Sequence, residues 1–207
     1  MSTLLRIDAS PRGNTSISRQ LTSAAVTAWK ARHPDGKVIE RDLTKTDLTF
    51  VDLDWILGSF TAAEQQTEIH RNALALSDAL VAELLEADEI VIGTPMYNFA
   101  VPAIVKAWID HVVRSGKTFA YTASGASGLA GERKVVVAVA SAGTYTEDSS
   151  MAAYNYEIPY LRHILGFIGI TDVTFVHAGG TAGLAQSGSS AEAFLAPFVE
   201  QVQAAIQ

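Results

Sequence analysis

The residues best suited to chemistry lie in one short run, Gly93-Thr94-Pro95-Met96-Tyr97-Asn98-Phe99. Met96 offers a polarisable thioether, and Tyr97 and Phe99 offer ring faces. Asn98 carries an amide donor beside an acceptor. In sequence, these groups can grip a flat heteroaromatic ring and read one of its edges. The run follows Ile90-Val91-Ile92, a β-branched stretch stopped by Gly and Pro, which is the pattern of a buried strand ending in a loop. Pro95 presets its own φ and disfavours helical geometry at Thr94, which suits a rigid wall. Plain packing accounts equally well for Tyr97 and Phe99, and a turn for Asn98.

A second polar constellation is Ser10, Asn14, Thr15, Ser16 and Ser18, placed where a helix is expected to begin. Backbone N–H groups and the helix dipole make such a terminus an anion site, and hydroxyls add neutral donors. Any one of these residues can also be a simple N-cap. As a cluster after a strand they favour phosphate. A third segment, Ser141-Ala142-Gly143-Thr144-Tyr145, is small, and Gly143 permits close backbone approach to a ring. A plain strand-to-helix connection explains it equally well. Magnitudes argue that no one segment suffices. Charge-assisted hydrogen bonds contribute about 1.5–3 kcal/mol each, whereas loss of ligand freedom costs about 4–15 kcal/mol. Phosphate contacts alone barely break even, so retention needs buried ring area as well.

The elements that would position these segments alternate along the chain. Leu4–Ile7 reads as a strand, and a helix is expected from Ser16 to Ala31 with Ile17, Leu21, Ala24 and Ala28 on one face. Val38-Ile39 begins a second strand. Residues 43–60 show no clean period. Thr61-x-x-Glu64 reads as a capping box for a long helix with Ile69, Ala73, Leu76, Leu80 and Leu84 as its buried stripe. A strand over 89–92 precedes a helix over 102–114, and residues 115–131 form a Gly- and Ser-containing excursion. Strand 134–140 is apolar throughout, as in a parallel sheet buried on both faces. A helix over 157–167, a strand over 173–176 and a helix over 190–205 complete the chain, with Pro197 kinking the last helix or marking its start.

Strands alternating with helices imply right-handed crossovers and a parallel sheet. One α/β domain over 1–207 is expected, a flavodoxin-like three-layer sandwich with five strands in the order 2-1-3-4-5. Strands 1, 3 and 4 are then neighbours, and the three polar segments meet at the switch point.

Composition narrows the functions. A net charge of −7 without a basic stripe argues against nucleic acid. The chain has no cysteine, which removes disulfides, thiolate metal sites and cysteine nucleophiles. No apolar run approaches the roughly 18 residues of a membrane span, and Met-Ser-Thr leads into a strand pattern rather than a signal sequence. A cytoplasmic protein without a membrane partner is the expectation. There is no G-x-G-x-x-G after the first strand, no Walker A sequence and no G-x-S-x-G elbow. His33, His70, His111, His163 and His177 lack metal-ligand spacing, so no metal site is expected.

Pro95-Met96-Tyr97-Asn98-Phe99, followed by a helix with Lys106 and Asp110, resembles the FMN-dependent NADH azoreductases, also described as NADH:quinone oxidoreductases. The similarity extends to Leu74-Ala75-Leu76-Ser77-Asp78, to Thr118-Phe119 with Tyr121, and to Gly166-Phe167-Ile168-Gly169-Ile170-Thr171-Asp172-Val173. The resemblance implies that Ser10, Ser16, Ile17 and Ser18 hold the FMN phosphate and ribityl chain. It implies that Met96, Tyr97, Asn98 and Phe99 flank the isoalloxazine, and that Ser141, Ala142, Gly143 and Thr144 close over its pyrimidine side. It further implies a homodimer with sites at the interface, where Phe119 and Tyr121 reach into a substrate pocket, from the partner subunit. Ala142 and Thr144 stand where the family often has an Arg and paired glycines, and Ile164 where an aromatic can line the pocket.

The expected activity is a two-step cycle in which NADH or NADPH delivers a hydride to FMN and leaves. A quinone or azo compound then takes its place and accepts two electrons. No catalytic acid or base is assigned; Tyr145 and Asn98 are candidate donors beside solvent. The alternatives are a flavodoxin-type electron carrier and a module that uses the fold without a cofactor.

Overall fold

The computed structural model describes residues 2–184 and 190–206. Seven strands form along the chain: β1 (Thr3–Asp8), β2 (Lys37–Asp42), β3 (Glu89–Pro95), β4 (Phe119–Thr122), β5 (Gly125–Gly128), β6 (Lys134–Ala140) and β7 (Val173–Ala178). The helices are α1 (Ile17–Arg32), α2 (Leu53–Phe60), α3 (Glu68–Glu86), α4 (Ala103–Val112), α5 (Glu157–Phe167) and α6 (Ala191–Ala205). Five strands pair in parallel in the order β2-β1-β3-β6-β7. This is the expected 2-1-3-4-5 order, with two further strands inserted between its third and fourth members.

Side-chain alternation along the strands decides the layers. Leu5, Ile7, Ile90, Ile92, Val135, Val137 and Val139 face one side and pack on Leu80 and Leu84 of α3, Val105 and Trp108 of α4, and Leu161 and Leu165 of α5. Leu4, Val91, Val136, Ala138 and Val176 face the other side and meet Leu21, Ala25 and Trp29 of α1 and Leu195 and Val202 of α6. The central strands are buried on both faces, as the unbroken apolar run of β6 requires. Among the described residues no helix is long and apolar enough to cross a membrane.

Three local expectations are corrected. The long helix does not start at the Thr61-x-x-Glu64 box. Thr61 instead closes α2, its Oγ1 donating to the Leu57 carbonyl at 2.7 Å, and Glu64 lies in a separate 3-10 turn, Ala63–Gln65. Thr67 caps α3, accepting from the His70 N–H. The buried stripe shifts with the start, to Leu74, Ser77, Leu80, Val81 and Leu84, and leaves Ile69 exposed. Pro197 does not mark the start of α6, which runs through it.

Residues 43–60 and 115–131, unreadable by period, each hold an element. Asp52 caps α2 by accepting from the Trp55 N–H at 2.8 Å. Strands β4 and β5 form an antiparallel hairpin. It lies so close to the Gly169 backbone that Gly128 has no room for a Cβ.

Candidate functional site

Parallel pairing sets the carboxyl ends of β1, β3 and β6 side by side, neighbouring strands being about 4.8 Å apart. Asp8 is the register partner of Gly93, and Pro95 that of Ala140. Past the strands the contacts continue: Ala9 N–H donates to the Gly93 carbonyl at 2.9 Å, and Met96 N–H to the Ala140 carbonyl at 2.8 Å. The structure therefore brings the segments 8–18, 94–99 and 141–145 to one rim.

The first segment is a buried hydroxyl cradle. Ser10, Ser16 and Ser18 are all buried, and Ser16 Oγ lies 3.2 Å from Ser18 Oγ. Ser16 is the N-cap of α1, accepting from the Arg19 N–H. That cap satisfies one first-turn donor, and helix geometry leaves the N–H groups of Ile17 and Ser18 without intrahelical acceptors. Arg19 fixes the cradle from outside: its Nε donates to the Ser10 carbonyl at 2.7 Å and its Nη2 to Asp42 Oδ1 at 2.6 Å. Burial raises the pKa of Asp42, but the Arg19 guanidinium and Thr44 outweigh it and hold it at about 2. Asp8, below the cradle, is raised by burial despite Arg6, Thr22 and Arg19.

The second segment is a tight turn. Tyr97 and Ala100 exchange both backbone hydrogen bonds, at 3.0 and 3.1 Å, around Asn98 and Phe99. Both central residues have positive φ, 49° and 72°. Asn tolerates that region, whereas an aromatic residue there stores about 1–3 kcal/mol of strain. The turn leaves the Tyr97 and Phe99 rings 46% and 39% exposed at the rim. Met96 is partly buried against the core, and Asn98 is exposed.

The third segment is tied to both neighbours. The Phe99 and Tyr145 rings meet edge to face at 6.0 Å. Ser141 Oγ donates to the Gly143 carbonyl at 2.7 Å and lies 2.6 Å from His177 Nε2. With its one proton committed to the carbonyl, the hydroxyl accepts from Nε2–H. Burial lowers the His177 pKa, which keeps the ring neutral. The carbonyls of Ser141, Ala142 and Gly143 accept from the amides of Thr181, Ala182 and Gly180. Ala142 and Thr144 are exposed. Tyr145 lies close over Gly143, its hydroxyl 2.9 Å from where a Cβ would stand.

Phe119 and Tyr121 lie elsewhere. Phe119 packs on Phe167, the last residue of α5, with centroids 4.8 Å apart. Helix α5 begins at the rim, beside Thr94, so Phe119 is displaced from it by about 15 Å, one helix length at 1.5 Å per residue. Tyr121 is 75% exposed next to Phe119. One chain does not bring these two residues to its own rim.

Sequence reasoning passed over Glu157. It opens α5, where an acid ordinarily reads as a solvated partner of the helix dipole, and nothing in its neighbours signals otherwise. In the fold it is 0% exposed. Its Oε1 accepts from Thr94 Oγ1 at 2.9 Å, and Oε2 has no partner. Burial pushes its pKa up to about 8, against the smaller opposing effect of the Thr94 bond.

Comparisons with known proteins agree in one direction. A family model described as a flavodoxin-like fold matches residues 2–203. FMN-dependent NADH:quinone oxidoreductase 2 of Jannaschia sp. (strain CCS1) is 46% identical over 207 residues, 100% of each chain. FMN-dependent NADH:quinone oxidoreductase 8 of Burkholderia lata is 51% identical over 182 residues, 88% of this chain and 85% of the relative. Among solved structures, an azoreductase from Bacillus anthracis str. Sterne superposes with a TM-score of 0.88 at 31% identity, covering 100% of this chain and 99% of that one. An FMN-dependent NADH-azoreductase from Bacillus anthracis str. Ames Ancestor in complex with FMN shares the fold, with a TM-score of 0.87 at 24% identity, covering 100% and 98%.

The Glu157 environment has a stability consequence. An unfolded chain releases this proton near pH 4.5, the folded chain near 8. The folded state binds the extra proton between those values, so the group lowers stability as pH rises through that window and is neutral in effect below it. Glu157→Gln, which carries no charge, is expected to raise the urea midpoint over wild type at pH 8 and to leave it unchanged at pH 4. An equal effect at both pH values would refute the buried neutral acid.

Proposed function

The chain belongs to the FMN-dependent NADH:quinone oxidoreductases, and from that membership we propose a ping-pong reductase of quinones and azo compounds that works as a homodimer. The observation that carries the reading is the buried serine cradle at the start of α1, set beside a strained turn that holds two aromatic rings at the same rim. These residues fit FMN: hydroxyls and first-turn N–H groups suit its phosphate, and the exposed ring faces suit its isoalloxazine. When bound, FMN supplies a two-electron carrier that takes a hydride from NADH or NADPH and passes it to the acceptor.

The protein supplies position. Ser10, Ser16 and Ser18, with the N–H groups of Ile17 and Ser18, hold the phosphate and ribityl end at the positive end of a 16-residue helix. Met96, Tyr97 and Phe99 would flank the ring, and the Asn98 amide would bond its edge. Ser141, Ala142, Gly143 and Thr144 bound the pyrimidine side. A cofactor held this way would be open to one reactant at a time, so the donor would leave before the acceptor enters. Azo cleavage to two amines consumes four electrons and therefore two such rounds. The protons come from solvent.

Dimerisation is supported by apolar residues that one chain leaves bare. Leu53, Ile56, Leu57 and Phe60 of α2 are exposed, Phe60 by 80%. Tyr121, remote from its own rim, is free to reach a partner's. Phe119 would support Tyr121 from behind. Nothing favours the flavodoxin-type carrier, since the relatives are named as enzymes.

The purified protein should take up FMN and turn yellow, and NADH should bleach it rapidly. Asn98→Leu should weaken FMN affinity or turnover by about tenfold, the loss of one buried hydrogen bond of ~1.4 kcal/mol. Unchanged affinity and turnover would remove Asn98 from the site, and a protein that cannot take up FMN would end the reading. Initial rates against NADH at several quinone concentrations, repeated with an azo dye, should give parallel reciprocal lines; intersecting lines would exclude the alternating order. Light scattering should give twice the 22.0 kDa of one chain, and a monomer at micromolar concentration would exclude the dimer.

A further inference from the structure

We propose that the first turn of α5 is a clamp on the cofactor loop, and that Glu157 is the positioning residue that closes it. Two consecutive residues grip the two ends of the stretch 94–99. At one end the Glu157 carboxyl takes the Thr94 hydroxyl at 2.9 Å. At the other the Tyr156 N–H donates to the Phe99 carbonyl at 3.0 Å. Within this stretch lie Asn98 and Phe99, the two residues other than glycine with positive φ among the described residues. A strained turn persists only where its surroundings over-determine it, and the clamp supplies that constraint. Thr94 has one weaker alternative acceptor, the Pro95 carbonyl at 3.4 Å, so its bond to Glu157 is the one that ties β3 to α5.

The clamp depends on the state of the carboxyl. Glu157 Oε2 is buried and without a partner, and a bare anionic oxygen there would be strongly unfavourable. The charged and titratable groups on the surrounding elements do not relieve it. Lys106 and Asp110 of α4 pair with each other at 2.6 Å, beside Tyr160 of α5. His177 of β7 is bonded to Ser141, and Glu147 and Asp148 are exposed. Burial and the Thr94 hydroxyl are the causes of the Glu157 shift, which leaves the acid protonated up to about pH 8. Ionisation above that value draws the first turn of α5 toward water and slackens both anchors. The loop is then tight at pH 7 and loose at pH 9.

The clamp itself is tested without a ligand, and only its second readout rests on the FMN reading. Amide exchange at Met96, Tyr97 and Ala100 is compared between wild type and Glu157→Gln at pH 7 and pH 9, the ratio at each pH cancelling the intrinsic chemistry. Gln still accepts from Thr94 and does not ionise. The expected result is equal exchange at pH 7 and about tenfold faster exchange in wild type at pH 9. Thr94→Val, which removes one anchor and keeps the shape, should exchange faster than wild type already at pH 7. Equal wild-type and Glu157→Gln exchange at both pH values would overturn the proposal, as would unaltered exchange in Thr94→Val. In the second readout, quenching of FMN fluorescence, the wild-type Kd should rise by up to about tenfold between pH 7 and pH 9 while Glu157→Gln stays flat. Parallel pH profiles in the two proteins would overturn the coupling to FMN. A protein that takes up no FMN at either pH would defeat the proposed function, and the exchange ratios would still decide the clamp.

Discussion

The close approach of α1 to β3 at Gly93 is the constraint on which the rim depends. A Cβ at Gly93 would lie 2.7 Å from Thr22 Cγ2, 2.9 Å from Asp8 Oδ1 and 3.0 Å from the Ser18 carbonyl. Two of those atoms belong to α1 and one to the end of β1. The missing side chain lets the helix start directly over the sheet at the point where β1 and β3 pair. The serine cradle and the aromatic turn become neighbours because nothing stands between them.

Around that approach the polar groups are fully engaged. Asp8 accepts from Thr22 at 2.8 Å and forms an ion pair with Arg6 at 2.8 Å, with Arg19 3.8 Å away. Arg19 in turn links the Ser10 carbonyl to Asp42 at the end of β2. Asp8 is buried and its guanidinium partners are half-buried, and the linked pairs fix the cradle more firmly than any single bond. The aromatic turn is held differently. Its strain is balanced by backbone bonds to β6 at Met96 and to the start of α5 at Phe99.

The chain divides its chemistry between two ends. The serine cradle, the turn and the Ser141–Tyr145 segment share the carboxyl rim, whereas the hairpin bearing Phe119 and Tyr121 sits at the far end of α5. The apolar side chains Leu53, Ile56, Leu57 and Phe60 of α2 are exposed.

Much of this was legible in the residues. The unbroken apolar run Val135–Ala140 required a doubly covered strand, and the alternation of strands with helices fixed the sheet order. The string Met96-Tyr97-Asn98-Phe99 marked a loop at the end of β3, since residues after a buried strand are read from local chemistry alone. Other features depended on contacts remote in sequence. Thr61 reads as a helix start and acts as a helix end, because the choice is made by the packing of α2 on α3. Glu157 reads as a solvated acid and lies buried against Thr94, 63 residues earlier in the chain. Local pattern determined the elements and the rim they share, because periodicity and turn chemistry act between near neighbours. Tertiary structure alone decided which polar groups lost their water, since burial is a property of what the rest of the chain lays over them.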